Sequence, residues 1–461
     1  MKNNKRVISI LLSITIIIFF PLLSICKEHK NYFLVDEEFK LCFNWNEKCE
    51  EKNDYANQIC LTPGEDESKL NFSWYSEECG NLNKLKIYDK ENYEEIVSAD
   101  SVKMKNGLRS NKVTVNNLKP NTTYYYSYTI DGKWTDPVTY RTRSLETFSF
   151  IFMGDPQVGA SYKNKNKDSY EKAIKEDTYN WNKVIEKSLN TRLNASFIVC
   201  AGDETNTKTD KYRGEKNKIS DMENNGFLYP YFLKSIPIAN TVGNHDKDNE
   251  DYYYRYNMPN LSRLGDTIAG GDYYFTYNNT LFLMLNTNNL NMSEHEEFIK
   301  EAINESNNTK WKIAIFHHDI YGCGKHSRDK DMNKLRKKLV PILEENNIDL
   351  SLTGHDHIYS RSYVLKNNKI EKHSTTSRYD NNKKLDIDVI SNPNGIIYIT
   401  GNSSTGSKFY KSDDNDEYTK VRFYDEIPTF TVIDVCDNSI EIITYRVDND
   451  EIIDDIRIIK E

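Results

Sequence analysis

The sequence predicts a large α/β domain with a mixed sheet system, preceded by a small all-β sandwich. Two patterns predict this division. From about Gln58 to Arg143, apolar residues alternate along short runs separated by turn signals, which is typical of antiparallel strands. After Glu146, short apolar strands alternate with amphipathic helical stretches, as in α/β domains.

Composition limits the class of protein. The chain has 461 residues, of which 28% are charged and 38% hydrophobic, and its net charge is -9. This length suits about two or three domains, and the composition excludes collagens, disulfide mini-proteins, wholly disordered chains and polytopic membrane proteins. Because no basic domain stands out, we expect no nucleic-acid partner.

The N-terminus predicts export. A basic start precedes an uncharged, strongly apolar run over residues 7–23, which is broken late by Pro21. The run is short for a spanning helix, so residues 1–26 are interpreted as a signal peptide cleaved before Lys27. We therefore expect a secreted or extracytoplasmic protein without a stable membrane partner; an uncleaved N-terminal anchor is the alternative.

The rest of the chain is expected to form an N-terminal extension (27–50), the β-sandwich (51–146) and the α/β domain (147–461). Four cysteines in the N-terminal part could form two disulfides, in any of three connectivities. They are Cys42, Cys49, Cys60 and Cys79.

The β-sandwich is predicted from strand-like alternation at residues 70–74 and 124–130, with turn signals such as Pro63-Gly64 between the runs. Residues 117–126, Asn-Leu-Lys-Pro-Asn-Thr-Thr-Tyr-Tyr-Tyr, resemble the late corner of a fibronectin type III-like domain.

In the α/β domain, apolar runs predict strands at residues 148–153, 196–201, 236–242, 312–316, 349–352, 395–400, 430–435 and 440–446. Helical spacing of apolar residues predicts helices over 181–189 and 335–343. Residues 273–277 and 281–286 flank Asn278-Asn279 and predict a hairpin.

Five of these strands run into a polar group that can bind a metal. The motifs are Gly154-Asp155, Gly202-Asp203-Glu204, Gly243-Asn244-His245-Asp246, Phe316-His317-His318 and Gly354-His355-Asp356-His357. Ligands of open α/β sheets gather beyond the carboxyl ends of the strands, where all five motifs fall. One such motif alone is usually a turn, but five in order favour a site.

The side chains of these motifs also indicate which metals would bind. Carboxylate, amide oxygen and imidazole together suit a pair of iron, manganese or zinc ions, and Asp203 is a candidate bridging carboxylate. Extended backbone would place His355 and His357 on one side. Six of the nine histidines lie in or beside the motifs, whereas His29, His295 and His373 are expected to be solvated.

The order GDPQ, GDET, GNHD, FHHDIYG and GHDHIYSR resembles the metallophosphoesterases of the calcineurin-like phosphoesterase superfamily. Together with the fibronectin-like domain, it resembles their purple acid phosphatase-like branch, over roughly residues 50–461. The resemblance implies an α/β/β/α sandwich of mixed sheets behind the small β domain.

The resemblance also implies roles for individual residues. Asp155 and His357 would be ligands of the first metal, and Asp203 would bridge the two metals. The ligands of the second metal would be Asn244, His317 and His355. His245 matches the catalytic histidine that meets the phosphate or the leaving group. His326 stands where relatives often carry a second substrate-facing histidine, although an ordinary loop histidine is the alternative.

Two residues depart from the family pattern, and a third needs a role. Purple members carry a metal-binding tyrosine three residues after the bridging aspartate, but this chain has Asn206, so their colour is not expected. Asp319 replaces a frequent proline and is expected to add negative charge near the site. For Arg361 we expect a structural salt bridge.

The sequence therefore predicts an exported metal-dependent phosphoric monoester hydrolase that resembles acid phosphatases. Two metal ions would supply a metal-bound hydroxide that attacks a phosphate ester, with His245 and His326 facing the substrate. A phosphodiesterase or nucleotidase with the same metal core is one alternative. A non-catalytic exported binding or adhesion protein is the second.

Overall fold

The computed structural model describes residues 58–77, 83–161, 167–207, 216–306, 309–380, 383–412 and 416–461. All of them belong to one compact unit, Tyr55–Glu461. The predicted signal peptide and N-terminal extension lie outside the described residues. Among the helices that are described, none has the length and apolar character needed to cross a membrane.

The first part of the described chain is all β. Its strands are β1 (Ile59–Pro63), β2 (Leu70–Ser76), β3 (Lys84–Tyr88), β4 (Glu94–Ser98), β5 (Asp100–Lys103), β6 (Arg109–Val115), β7 (Thr123–Ile130), β8 (Lys133–Trp134) and β9 (Val138–Arg141). One sheet has the order β1-β2-β6-β5 and the other β4-β3-β7-β8, with β9 also paired to β7. Phe72, Trp74, Leu85 and Tyr126 pack in the core of this domain.

A tyrosine fixes the late corner of this small domain. The backbone N–H of Lys119 donates to the hydroxyl of Tyr124 at 2.8 Å. A hydrogen bond from tyrosine to backbone a few residues upstream is typical of immunoglobulin-like sandwiches. The predicted all-β domain is therefore present; its fibronectin type III-like character stays a prediction.

The α/β domain is built on two sheets. Its first strands and helices are β10 (Phe148–Met153), α1 (Lys167–Thr191), β11 (Phe197–Cys200), α2 (Lys216–Leu228), β12 (Ile238–Asn240), α3 (Glu250–Arg255), β13 (Tyr273–Tyr277), β14 (Thr280–Leu285), α4 (Met292–Glu305), β15 (Trp311–Phe316), α5 (Lys330–Glu345) and β16 (Leu350–Thr353). Strands then follow at β17 (Tyr359–Ser362), β18 (Val364–Lys366), β19 (Lys369–Glu371), β20 (Ser374–Asp380), β21 (Lys383–Ser391), β22 (Ile397–Thr400), β23 (Thr419–Phe423), β24 (Thr429–Val435), β25 (Ser439–Arg446) and β26 (Ile452–Ile459). Short 3₁₀ helices lie at Tyr231–Lys234 and His326–Arg328.

The two sheets pack face to face between helices. Their orders are β12-β11-β10-β24-β25-β26-β21-β20 and β13-β14-β15-β16-β22-β17-β23. Aromatic rings fill the space between them: Phe150 of β10 lies 5.3 Å from Phe282 of β14 between ring centroids. Helices α4 and α5 cover the outer face of the second sheet, where Phe298 and Leu339 join its core. The predicted α/β/β/α sandwich is confirmed.

Parallel pairing brings the predicted motifs to one edge. Strands β10, β11 and β12 are parallel neighbours in the first sheet, as are β15 and β16 in the second. Their carboxyl ends therefore meet, and the polar residues that follow them converge.

Some sequence expectations are wrong. The described cysteines, Cys60, Cys200, Cys323 and Cys436, are all free thiols, so Cys60 forms no disulfide. Cys42, Cys49 and Cys79 lie outside the described residues. His295 is fully buried rather than solvated, and the side chain of His373 is only 7% exposed.

Candidate metal centre

The five motifs converge on one buried cluster. The side chains of Asp155, Asp203 and His317 approach one another closely enough to hold a metal ion, and all three are buried. The Nε2 atom of His317 lies 3.4 Å from Asp203 Oδ1 and 3.0 Å from Asn244 Oδ1. The Nδ1 atom of His355 lies 3.1 Å from the same His317 Nε2. Four of the predicted ligands thus meet around one point.

The remaining two predicted ligands meet beside it. His357 Nε2 lies 3.5 Å from Asp155 Oδ1, and this buried oxygen has no hydrogen-bond partner. The other Asp155 oxygen accepts the backbone N–H of His355 at 2.8 Å. Asp155 therefore links the two halves of the cluster while one of its oxygens lacks a partner.

These distances fit metal coordination. Two donors bound to one ion at about 2.1 Å and at angles of roughly 90–110° lie about 3.0–3.4 Å apart. His317 Nε2 lies 3.0–3.4 Å from the donor atoms of Asp203, Asn244 and His355. A buried carboxylate oxygen without a partner is costly unless a cation or a proton completes it.

Backbone carbonyls fix the imidazoles. His317 Nδ1 lies 2.9 Å from the carbonyl oxygen of Ala201, and His357 Nδ1 lies 2.6 Å from that of Lys408. Since a carbonyl only accepts, each Nδ1 carries the proton, and each Nε2 is left to face the carboxylates. Such support is usual behind metal-binding histidines.

The loops hold their ligands in a rare backbone conformation. Asp155, Asp203, His355 and His357 all have φ between 38° and 73°. This left-handed region is sterically costly for non-glycine residues and recurs at functional sites. Gly243 adds close packing, because a Cβ there would lie 2.2 Å from Asp203 Oδ1.

Charge is unequally distributed over the cluster. Burial raises the pKa of Asp155 well above its ordinary value. Burial also opposes ionisation of Asp203, but the adjacent His317 and His245 outweigh it and hold the pKa of Asp203 well below its ordinary value. Burial lowers the pKa of His357 to about 3. Asp203 thus carries negative charge, whereas the imidazole of His357, which lies beside Asp155, is neutral.

His245 lies next to the cluster, and Asn206 positions it. The Nδ1 atom of His245 lies 2.5 Å from the carbonyl oxygen of Asn206, and its Nε2 lies 3.9 Å from Asp203 Oδ2. The amide of Asn206 donates to the carbonyl of Gly159 at 3.3 Å. Asn206 is therefore engaged in orienting His245 through its backbone.

His326, which follows β15 of the second sheet, lies beside the ligand candidate His355. Its ring centroid lies 4.8 Å from that of His355, and its Nδ1 lies 2.9 Å from Asp329 Oδ2. The carboxylate of Asp356 accepts the backbone N–H groups of Gly324 at 2.8 Å and His326 at 2.7 Å, which holds this loop.

Asp319 and Arg361 lie behind the site. Burial, reinforced by the nearby Asp356, raises the pKa of Asp319 well above its ordinary value. Its neutral form is thus favoured, which contradicts the expected negative charge. Arg361 is buried and contacts Asp388 and Asp454 at 2.6 Å and 2.7 Å, so the predicted structural salt bridge is confirmed.

Two known protein families match the two domains of this chain. The family described as "Calcineurin-like phosphoesterase" matches residues 148–359, and "Purple acid Phosphatase, N-terminal domain" matches residues 56–142. The chain carries a calcineurin-like phosphoesterase domain behind a purple acid phosphatase N-terminal domain. The resemblance that the motifs indicate is confirmed.

Individual proteins also resemble parts of this chain. Purple acid phosphatase 17 of Arabidopsis thaliana is 42% identical over 53 residues, 12% of this chain and 15% of the relative. Purple acid phosphatase 3 of the same plant is 29% identical over 162 residues, 35% and 34% of the two chains. The chain thus matches about a third or less of the length of these relatives.

A solved structure has a fold similar to that of this chain. Purple acid phosphatase PPD1 from seeds of yellow lupin, Lupinus luteus, has a TM-score of 0.66 at 13% identity, covering 88% of this chain and 74% of its own. At that identity the likeness shows the fold alone.

Sequence reasoning assigned no role to four side chains at the candidate metal centre. Gln157 Nε2 lies 3.5 Å from Asp203 Oδ2, and His318 packs 5.0 Å from His355 between ring centroids. Lys408 and Tyr410 reach the site from the loop after β22. The GDPQ and FHHDIYG motifs contain the first two, whereas no motif marks the last two.

Proposed function

We propose that the protein is a metal-dependent phosphatase that hydrolyses phosphate monoesters with two metal ions. The observation that carries this proposal is the convergence of six side chains that can bind metal, among them Asp155, whose buried Oδ1 has no hydrogen-bond partner among the described residues. Calcineurin-like phosphoesterase and purple acid phosphatase matches over residues 148–359 and 56–142 support the reaction class.

The ligand assignment follows the two halves of the cluster. Asp155 and His357 would hold one ion, whereas Asn244, His317 and His355 would hold the second. Asp203 would bridge them, since its ligand oxygen lies within 4.8 Å of those of both Asp155 and His317. Oxygen and nitrogen donors of this kind suit iron, manganese or zinc.

Asn206 bears on the metal that we assign to Asp155. Its amide donates to the carbonyl of Gly159, and its carbonyl contacts His245. Because asparagine has no phenol group, we propose that the protein lacks tyrosinate-to-iron absorption from this position.

The chemistry divides between the ions and the protein. When bound, a pair of cations lowers the pKa of water and neutralises phosphoryl oxygens. His245, held through Nδ1 by the Asn206 carbonyl, would present Nε2 to the phosphoryl group and donate a proton to the departing oxygen. His326 would contact the substrate from the opposite loop, with Asp329 fixing its ring.

We also propose export, cleavage of residues 1–26, and the division into 27–50, 51–146 and 147–461. The two family matches, 56–142 and 148–359, support the boundary near residue 147. The substrate partner would be a phosphate ester, with no nucleic acid involved.

Metal analysis together with turnover tests the proposal. The purified protein should bind about two metal ions per chain and hydrolyse 4-nitrophenyl phosphate. His355→Ala should lower both the metal content and kcat/KM, by about 100-fold or more for the latter. His373→Ala is the matched control, because His373 contacts Asp388 instead of the cluster.

Full activity of folded His355→Ala would contradict the ligand assignment. A wild-type protein that binds metal but turns over neither mono- nor diesters would favour the binding or adhesion protein instead.

A further inference from the structure

The loop between β22 and β23 places two unassigned side chains over the cluster. The Tyr410 ring centroid lies 5.0 Å from that of His326 and 5.1 Å from that of His357. The Lys408 Nζ atom lies 4.7 Å from the centre of the Tyr410 ring. Since the Lys408 carbonyl accepts from His357 at 2.6 Å, this loop is tied directly to the candidate metal centre.

The ammonium of Lys408 lies over the ring of Tyr410, so the two side chains contact each other. Among the residues that the structure describes, neither the Lys408 ammonium nor the Tyr410 hydroxyl forms a hydrogen bond or ion pair. Both residues are half-buried, and both are within electrostatic reach of Asp155 and Asp203. A half-buried ammonium without a hydrogen-bond or ionic partner among the described residues suits a bound anion.

We propose that Lys408 and Tyr410 form a binding site for the third phosphoryl oxygen, which selects phosphate monoesters over diesters. This inference rests on the proposed function and deepens it. A monoester has three non-bridging oxygens, whereas a diester has two. When two oxygens are directed at the carboxylate–imidazole cluster, only a monoester retains a third, charged oxygen for the loop.

The two side chains supply complementary donors for that oxygen. An ammonium group has three N–H donors and a full charge, and a phenol adds one O–H donor. A monoester is largely a dianion at neutral pH, which strengthens both contacts. In a diester the same position holds an esterified, uncharged oxygen with its substituent, which the ammonium would bind weakly.

The ratio of kcat/KM for 4-nitrophenyl phosphate to that for bis(4-nitrophenyl) phosphate tests this site. Lys408→Met should lower the monoester value roughly 10- to 100-fold and Tyr410→Phe roughly 3- to 10-fold, with the diester value within about twofold. Lys411→Met and Tyr424→Phe are the matched controls, since both residues are exposed and lie away from these contacts.

Binding of inorganic phosphate gives a readout that does not depend on turnover. Calorimetric titration of the metal-loaded protein should show weaker phosphate binding in Lys408→Met by a similar factor, with metal content unchanged. Equal losses on both esters, unchanged phosphate affinity, or loss of metal from Lys408→Met would overturn the inference. Absence of wild-type turnover on both esters would instead contradict the proposed function, and phosphate titration would still decide the role of Lys408.

Discussion

Two of the groups of buried carboxylates and imidazoles in the described α/β domain differ in how their polar atoms are satisfied. In the first, His295 Nδ1 lies 2.6 Å from Asp272 Oδ2, and His295 Nε2 lies 2.9 Å from the carbonyl oxygen of Asn289. The other Asp272 oxygen accepts the backbone N–H of Asn286 at 2.7 Å. Every polar atom of this pair therefore has a partner within the protein.

The candidate metal centre is the opposite case. Asp155 Oδ1 has no hydrogen-bond partner although it is buried, and four ligand residues occupy left-handed backbone. A pair that is complete in itself stabilises the loop it holds, whereas an incomplete set requires a ligand. Burial and residue type alone do not distinguish the two, but the state of each polar atom does.

The largest effect on activity should come from Asp203→Asn in the candidate metal centre. The amide keeps the shape of the carboxylate but removes the charge that we assign to bridging two ions, so kcat/KM for 4-nitrophenyl phosphate should fall about 10³-fold or more. The metal-free protein should lose a modest part of its stability, because the change removes the favourable charge of Asp203 beside His317 and His245 but also its repulsion with Asp155.

Thermal unfolding with and without added metal checks this expectation. Ligand bound at 100 times its Kd stabilises a protein by about 2.7 kcal/mol, and Asp203→Asn should lose most of that gain. A variant that unfolds much earlier without metal would show that Asp203 is structural.

How far the sequence predicts the fold depends on the strand. Strand β10 agrees with its predicted limits because five of its six residues are apolar and all six are buried. Strand β26, Ile452–Ile459, was missed, since acidic residues interrupt its apolar run although Asp454 and Asp455 are themselves buried. Its pairing with β21 and β25 depends on distant segments that no local pattern reveals.

The candidate site shows the same limit. The candidate ligands were predicted because each follows a buried strand, whereas Lys408 and Tyr410 lie in a loop whose position depends on a backbone hydrogen bond to His357. The burial of His295, however, had a signal. It shares helical spacing with the buried Phe298, Ile299 and Ala302 of α4, so it belongs to the apolar face.

An intermediate effect is expected from His295→Ala. The substitution leaves the carboxylate of Asp272 buried without its partner, which costs about 3–5 kcal/mol of unfolding free energy. Urea denaturation measures this loss. The double variant His295→Ala, Asp272→Asn should recover part of it, and the folded variant should still bind metal, since neither residue belongs to the candidate metal centre.

The smallest effect should be the pH dependence that His295 contributes. Burial opposes its charge, but the hydrogen bond and charge of Asp272 outweigh burial and raise the pKa of His295 above 6.5. A group with a raised folded pKa stabilises fully below its unfolded pKa, and this stabilisation is lost as the pH rises through the folded pKa.

The unfolding free energy should therefore fall as the pH rises above 6.5. The measurement uses metal-free protein, so that ion binding at the candidate metal centre does not contribute. In His295→Asn this part of the decline should disappear, because the amide does not titrate. This pH-dependent loss of unfolding free energy is smaller than the loss in His295→Ala, because raising the pH removes a proton but leaves the ring packed against Asp272. An unchanged pH slope in His295→Asn would show that other groups produce the decline, and the pair would then stabilise the loop through packing alone.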